Sequence, residues 1–338
     1  MATKGTRNPT LRDLANGLKS DGTFDSDIVE LVLEANSDLL ADAVVKEANG
    51  VDNDRTTIRT GLPDATWTAY YEGVQPSKGN KKQVSNSIGT LKSMIQVDKD
   101  LIDDSPNGKE EMLDEAFAHA ETMGNEVADC IFYGNVKTNA KKFNGLGPIY
   151  STYGGTDNKQ SSYYCISSKR TATPDSSTLR SIYLIGWGRR GATLIYPKGS
   201  KGGLQRDPVT DETITQADGS RLKVKEQFFK WNIGLTVKDF RTCGRICNIE
   251  GNTLSTLDVD LGEYMLKIKT RCKRAGLKCV WYMPESVLEW LEVKTRRQTL
   301  VTSFSFKDVA GEPILHFDGI PIRKLECLET NEAAVASV

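Results

Sequence analysis

The chain has 338 residues, more than one domain usually holds, so two lobes are expected. Its 44 Lys and Arg nearly balance 45 Asp and Glu, which argues against a surface that is one continuous nucleic-acid-binding field. The 2 histidines, His119 and His316, exclude zinc sites of the three-His type and leave two candidates for imidazole acid–base chemistry.

Met1 to Arg7 carries no apolar core, so no signal peptide is expected. No run approaches the roughly 18 apolar residues of a membrane span, and Asn8-Pro9-Thr10 is no sequon because of its proline. A soluble protein made in the cytosol is expected. Its 7 scattered cysteines then read as reduced thiols.

Residues 1–24 are polar and suggest an arm with a short helix around Leu11–Leu18. From Ser26 the apolar positions Ile28, Leu31, Val32, Ala35, Leu39, Leu40, Ala43 and Val44 recur at helical spacing, with Asp25 or Ser26 as cap and Gly50 past the end. Residues 54–97 read as an extended β-hairpin. One arm runs through Arg55–Thr60 and Thr66–Tyr71, the tip is Gln75–Lys82, and the other arm ends in an alternating run. In that run Leu91, Ser93, Ile95 and Val97 share one face, and Thr90, Lys92, Met94 and Gln96 the other. A hairpin this long is not stable alone and must lie against a body, its own or a neighbour's.

The spacing predicts a helix over 107–133, with Asn107 and Glu110 near a capping box and Gly134 at its end. At 1.5 Å per residue it is roughly 40 Å long. Met112, Ala116, Ala120, Met123, Val127 and Ile131 form its apolar stripe, with Leu113, Phe117 and Phe132 beside it. Its other face holds Glu110, Glu111, Asp114, Glu115, Glu121, Glu126 and Asp129 against Lys109 alone. That face is either solvated or a docking surface for a basic segment.

A Ser, Thr, Gly and Tyr-rich stretch to about 178 marks a lobe boundary, as a surface excursion or short strands. Residues 179–250 are strand-rich, with a hairpin at Asp218-Gly219 and two strands between Trp231 and Ile249. Asp258 to Ala275 is helical, Cys279–Met283 is a strand, Pro284 opens another helix, and Ile314–Leu328 turns at Asp318-Gly319. The fold class is α+β.

Three motifs invite chemistry. Gly186-Trp-Gly-Arg-Arg-Gly191 matches a dinucleotide fingerprint, but Ala192–Pro197 reads as a strand where the pyrophosphate needs a helix. Cys243, Cys247, Cys272 and Cys279 suit a zinc site poorly, since cysteines four apart on a strand are roughly 13 Å apart. Lys267, Lys269, Arg271, Lys273, Arg274 and Lys278 read as the polar face of an amphipathic helix or as a nucleic-acid contact. No catalytic, cofactor or metal site is expected.

The order of parts resembles the major capsid proteins of tailed bacteriophages with the Hong Kong 97-type fold, and most nearly the epsilon-fifteen-type podovirus coat proteins. The segments that carry it are Thr56–Pro63 with Trp67, Phe143–Leu146, Leu184–Gly188 with Ile195–Ser200, Gly234–Arg241 with Arg245-Ile246, and Phe317–Arg323.

The resemblance implies an N-terminal arm over 1–53, an extended loop over 54–97, and a peripheral domain over 98–178 around a spine helix at 107–133. It further implies an axial domain over about 179–310, with 311–338 returning to the peripheral domain. Such proteins form pentamers and hexamers of an icosahedral shell around double-stranded DNA, with a portal at one vertex, a scaffolding protein and in some cases a decoration protein. Subunit-interface candidates are Trp67, Tyr70 and Tyr71, as hairpin anchors or cross-strand partners, with Lys78, Lys81 and Lys82 at the tip. Glu110, Glu111, Asp114, Glu115 and Glu121 of the helix join them. Some members weld subunits through a loop lysine and an asparagine; no such bond is expected here. The alternatives are an encapsulin-like nanocompartment shell and a nucleotide-binding oxidoreductase.

Overall fold

Two apolar clusters organise the chain in the computed structural model, which describes residues 37–59, 61–105, 108–168, 179–215, 219–250, 261–274, 276–297, 304–309, 312–329 and 331–338. Helix α1 (Ser37–Asp42) and strand β1 (Val45–Glu47) precede a ribbon of β2 (Asn53–Arg59) and β3 (Lys81–Ser87). Then come β4 (Gly89–Asp98), α2 (Lys99–Asp104), the long α3 (Gly108–Tyr133), the single turn α4 (Leu146–Ile149), β5 (Thr152–Tyr153) and β6 (Cys165–Ser167). The strands β7 (Leu179–Trp187), β8 (Ala192–Tyr196), β9 (Leu204–Arg206), β10 (Thr210–Thr215), β11 (Arg221–Val237) and β12 (Gly244–Glu250) follow. Last are α5 (Leu261–Arg271), β13 (Lys278–Met283), α6 (Glu285–Arg297), β14 (Phe304–Val309), β15 (Glu312–Phe317), β16 (Ile320–Lys324) and β17 (Ala336–Ser337).

The main sheet runs β10-β11-β8-β7-β13-β16-β15-β14, with β4 and β9 also on β11, β1 on β8, and β12 linking β6 to β7. The larger core fills this sheet with Trp187, Trp281, Tyr183, Tyr282, Phe317 and the end of α3 at Ile131 and Phe132. The smaller core holds Ile95 and Val97 of β4, Ile102 of α2, Met112, Ala116 and Met123 of α3, and Phe229 of β11. Strand β11 serves both cores. It pairs with β4 from Val224 to Ile233, then with β8 from Gly234 to Val237. A Cβ at Gly234 would stand 2.7 Å from the Ser87 carbonyl oxygen, so the change of partner needs glycine.

Several expectations change. The helix expected to run through Val44 stops at Asp42, and Val45–Glu47 pairs in parallel with Leu194–Tyr196 of β8 instead. Its predicted start, the arm over 1–24 and Pro106-Asn107 lie outside the described residues. The long hairpin is shorter than read: its ladder joins only Asn53–Arg59 to Ser87–Lys81, and Thr66–Tyr71 forms no strand. β4 leaves it because its apolar alternation is buried on α3 and β11. β9, β10 and the first half of β11 gather beside β4, and Val224 and Phe229 are buried there. Trp231 lies inside one strand of 17 residues, and a 3₁₀ turn at Phe240–Thr242 separates it from β12. The Asp318-Gly319 turn between β15 and β16 is as read, with φ of 49° and 82°.

A buried ion pair anchors the chain's last residues. Arg245 of β12 and Glu332 are 6% and 9% exposed and meet at 2.6 Å. Glu332 also accepts from Ser181 Oγ at 2.5 Å and Tyr133 OH at 2.7 Å, while Arg245 donates to the Tyr150 carbonyl at 3.0 Å. Asn248 adds a two-point clamp, accepting from Val335 N at 2.9 Å and donating to its carbonyl at 3.1 Å. Glu332→Ala should cost about 3–5 kcal/mol in denaturant melts of the protomer, because it strands the Arg245 charge. The pair Arg245→Met with Glu332→Leu should cost much less, since neither charge is then left buried alone.

All seven cysteines are reduced, and Cys130, Cys165, Cys243, Cys247 and Cys272 are buried. They serve as small apolar groups in separate places. Cys247 Sγ sits 3.7 Å from Cys165 Sγ, whereas Cys272 Sγ meets the Cys243 carbonyl at 3.4 Å. Burial pushes the Cys243 thiol up to about 11. In the native protein a thiol reagent should label Cys279 and Cys327 ahead of these five, and guanidinium should release all seven. Rapid native labelling of five or more would contradict the packing.

Candidate assembly interface

The ribbon is built to project. At its root Ile88 N donates to the Asp52 carbonyl at 3.0 Å and Asn86 Nδ2 to Thr236 Oγ1 at 2.5 Å. Asn49 brackets Arg55, accepting from its N–H at 2.8 Å and donating to its carbonyl at 2.6 Å. Seven paired residues carry the ladder roughly 23 Å outward. Past it, every residue from 62 to 78 is exposed. A short turn, with Glu72 N donating to the Ala69 carbonyl and Ala69 N to the Glu72 carboxylate, holds Tyr71 at φ 72°. A tyrosine is uncommon in that region.

Trp67, Tyr70 and Tyr71 are 101%, 97% and 109% exposed. They pack across no strand, so the cross-strand alternative is removed. Leu62 and Val74 are exposed with them. Lys78 lies in the loop, and Lys81 and Lys82 start β3 opposite Arg59 and Ile58, all three exposed. A two-stranded ribbon has no interior to receive these side chains.

The helix α3 carries the second group of candidate residues. Met112, Ala116, Met123, Val127 and Ile131 are buried as a stripe, and Phe132 with them. Leu113 and Phe117, expected beside the stripe, instead face outward. At about 100° per residue, Phe117 falls roughly 90° from the middle of that stripe and close to Glu110 and Glu121. That angle was readable from the sequence. Glu110 and Asp114 are exposed, and Glu111, Glu115 and Glu121 half-buried. Glu111 accepts from Ser105 Oγ at 3.1 Å. Farther along, Lys142 neutralises Glu126 at 2.6 Å and approaches Asp129 at 3.8 Å.

The tempting motifs resolve into structure. β7 ends at Trp187 and β8 begins at Ala192, so the glycine-rich segment is a turn between strands, with Gly191 N donating to the Gly188 carbonyl at 2.9 Å. A Cβ at Gly191 would strike the Gly186 carbonyl. No helix follows to hold a pyrophosphate, which removes the oxidoreductase reading's premise. The basic run is largely engaged: Lys267 with Glu263 at 2.5 Å, Lys269 with Asp318, and Lys278 with Asp42 at 2.8 Å. Arg271 donates to the Tyr163 carbonyl at 2.7 Å.

Both histidines brace strands. His119 Nδ1 meets Ser93 Oγ at 2.5 Å, tying α3 to β4, with its ring stacked on Phe229. His316 Nδ1 meets the Ile314 carbonyl at 3.0 Å. Sequence reading missed the Ser93–His119 contact, which joins residues 26 apart across two elements. It equally missed the Arg245–Glu332 pair.

No curated protein matches the chain. Among solved structures, a chain of bacteriophage Epsilon15 is 28% identical, with 100% of each chain covered and a TM-score of 0.77. The bacteriophage JBD30 capsid matches at 12% identity, covering 93% of this chain and 98% of that one, with a TM-score of 0.48. The SrpI encapsulin complex of Synechococcus elongatus matches at 10% identity, covering 72% and 97%, with a TM-score of 0.41. The Epsilon15 likeness gives the α+β fold as the Hong Kong 97 type. The family profile described as major capsid protein GP7 matches residues 19–336, and the chain belongs to that family of phage capsid proteins.

Proposed function

We propose that copies of this chain close an icosahedral phage shell as pentamers and hexamers around double-stranded DNA, with the ribbon as the main bridge between copies. The observation that carries the bridging role is the complete exposure of Trp67, Tyr70 and Tyr71 at the end of an arm that its own subunit does not cover. Aromatic side chains contribute disproportionately to interfaces, and a closed shell supplies each arm with an identical receiving surface. Lys78, Lys81 and Lys82, with the carboxylates of α3, are the charged part of the same contacts. A scaffolding protein guiding assembly, a portal at one vertex, a decoration protein and non-specific contact with packaged DNA complete the proposed set of partners. The role is structural rather than catalytic. Synthesis is in the bacterial host cytoplasm, and among the described residues no helix is long and apolar enough to cross a membrane.

Co-expression with the neighbouring phage assembly genes should yield closed shells or five- and six-fold rings by negative-stain imaging. The triple substitution Trp67→Ala, Tyr70→Ala, Tyr71→Ala changes only exposed side chains. It should leave the protomer's circular dichroism unchanged and cut shell yield at least about tenfold, as loss of interface anchors does. Normal yield from that variant would contradict the bridging role, and a wild type that never assembles would contradict the function.

A further inference from the structure

Where the ribbon meets the main sheet, three elements bring four cations together. The ladder sets Lys46 of β1, Ile195 of β8 and Gly234 of β11 side by side, so these positions share one face of the sheet. Alternation along β11 puts Thr236 on that face too, and Asn86 of the ribbon reaches it at 2.5 Å. Lys238 follows as the strand ends, its N–H donating to the Gly191 carbonyl at 3.3 Å. That bond ties it to the turn between β7 and β8, on which Arg189 and Arg190 stand exposed. Lys46 and Lys238 are half-buried.

Counter-charge is scarce there. Among the described residues none of the four cations forms an ion pair. The carboxylate whose charge acts on Lys238 is Asp54 of β2, which is buried. Asp54 already accepts from Asn49 N at 3.2 Å and from Thr56 Oγ1 at 3.4 Å. Glu47, next to Lys46 on β1, lies on the opposite face of that strand and accepts from Gly199 N at 2.8 Å. Burial, and then the Lys46 charge, hold the Lys238 ammonium below its ordinary range, and Arg189 adds to the effect. Strands and a tight turn fix where these side chains start, so the repulsion is relieved best by an anion among them.

We propose that Lys46, Lys238, Arg189 and Arg190 form a binding site for a phosphate-type oxyanion at the root of the ribbon. A tetrahedral anion offers several acceptor oxygens to donors arriving from three elements, and guanidinium forks match it well. A carboxylate, with two oxygens, satisfies fewer of them. Inorganic phosphate and the diester backbone of nucleic acid both carry this chemistry. The site goes beyond the shell reading and does not depend on it, since all four residues belong to one subunit.

The test is lysine acylation of the unassembled full chain, mapped by mass spectrometry at constant ionic strength. Inorganic phosphate, exchanged for chloride, should slow labelling of Lys46 and Lys238 by at least about threefold and leave Lys78, Lys81 and Lys82 unchanged. The double substitution Arg189→Gln, Arg190→Gln changes only exposed side chains. It should abolish that protection while both lysines still label. A short DNA duplex distinguishes the two sources. If it protects the same two lysines, with a steep loss on adding salt, the diester backbone is the ligand. If inorganic phosphate alone protects them, the free ion is. Protection by neither, protection shared equally by Lys78, Lys81 and Lys82, or protection undiminished in the double variant would overturn the site. Each of those results would leave the capsid reading standing, because the measurement is made on the protomer.

Discussion

Strand β11 is the constraint on which the remaining architecture depends. Its stretch from Val224 to Ile233 pairs with β4 and sends Phe229 into the smaller core, while Ile233 and, on the stretch paired with β8, Leu235 enter the larger one. An unbroken strand of 17 residues is a stiff connection roughly 56 Å long, so the two cores share one backbone rather than a linker. The long helix α3 repeats the arrangement from the other side. Met112, Ala116 and Met123 pack in the smaller core, and Val127 to Phe132 in the larger. Two long elements thus run through both cores.

The ribbon is rooted at the point where β11 changes partner. Gly234 lets the Ser87 carbonyl come close, and Asn86 reaches Thr236. The direction in which the arm leaves is thus set by the same strand that sets the cores. What the arm carries outward, three exposed aromatic rings and a group of lysines, has no use within one subunit. A two-stranded ribbon cannot bury both its faces, so the apolar surface has to be covered by another molecule or remain a liability.

Local features were legible in the sequence because their causes are local. The stripe from Met112 to Ile131, the alternation from Leu91 to Val97, the Asp318-Gly319 turn and the strand after Gly191 all follow from period or turn chemistry within a few residues. Partner choice was not legible. β4 follows the ribbon directly, yet its ladder mate lies more than a hundred residues away in β11, and nothing near Leu91 encodes that. The helix expected through Val44 ended early because parallel pairing with Leu194 outweighs helical spacing. Arg245 and Glu332 are 87 residues apart, and a buried ion pair has no sequence signature. The exposed aromatic tip was readable as residues, but their freedom from cross-strand packing required the ladder's true length.

The central claim is that assembly covers the ribbon tip. Hydrogen–deuterium exchange compares the unassembled protomer with the shell across peptides spanning 61–80. Few backbone groups of that segment are bonded within the subunit, so the protomer should exchange there almost at once. The account predicts that assembly slows exchange in 61–80 by at least about tenfold. Exchange in 61–80 that stays equally fast in closed shells would contradict it.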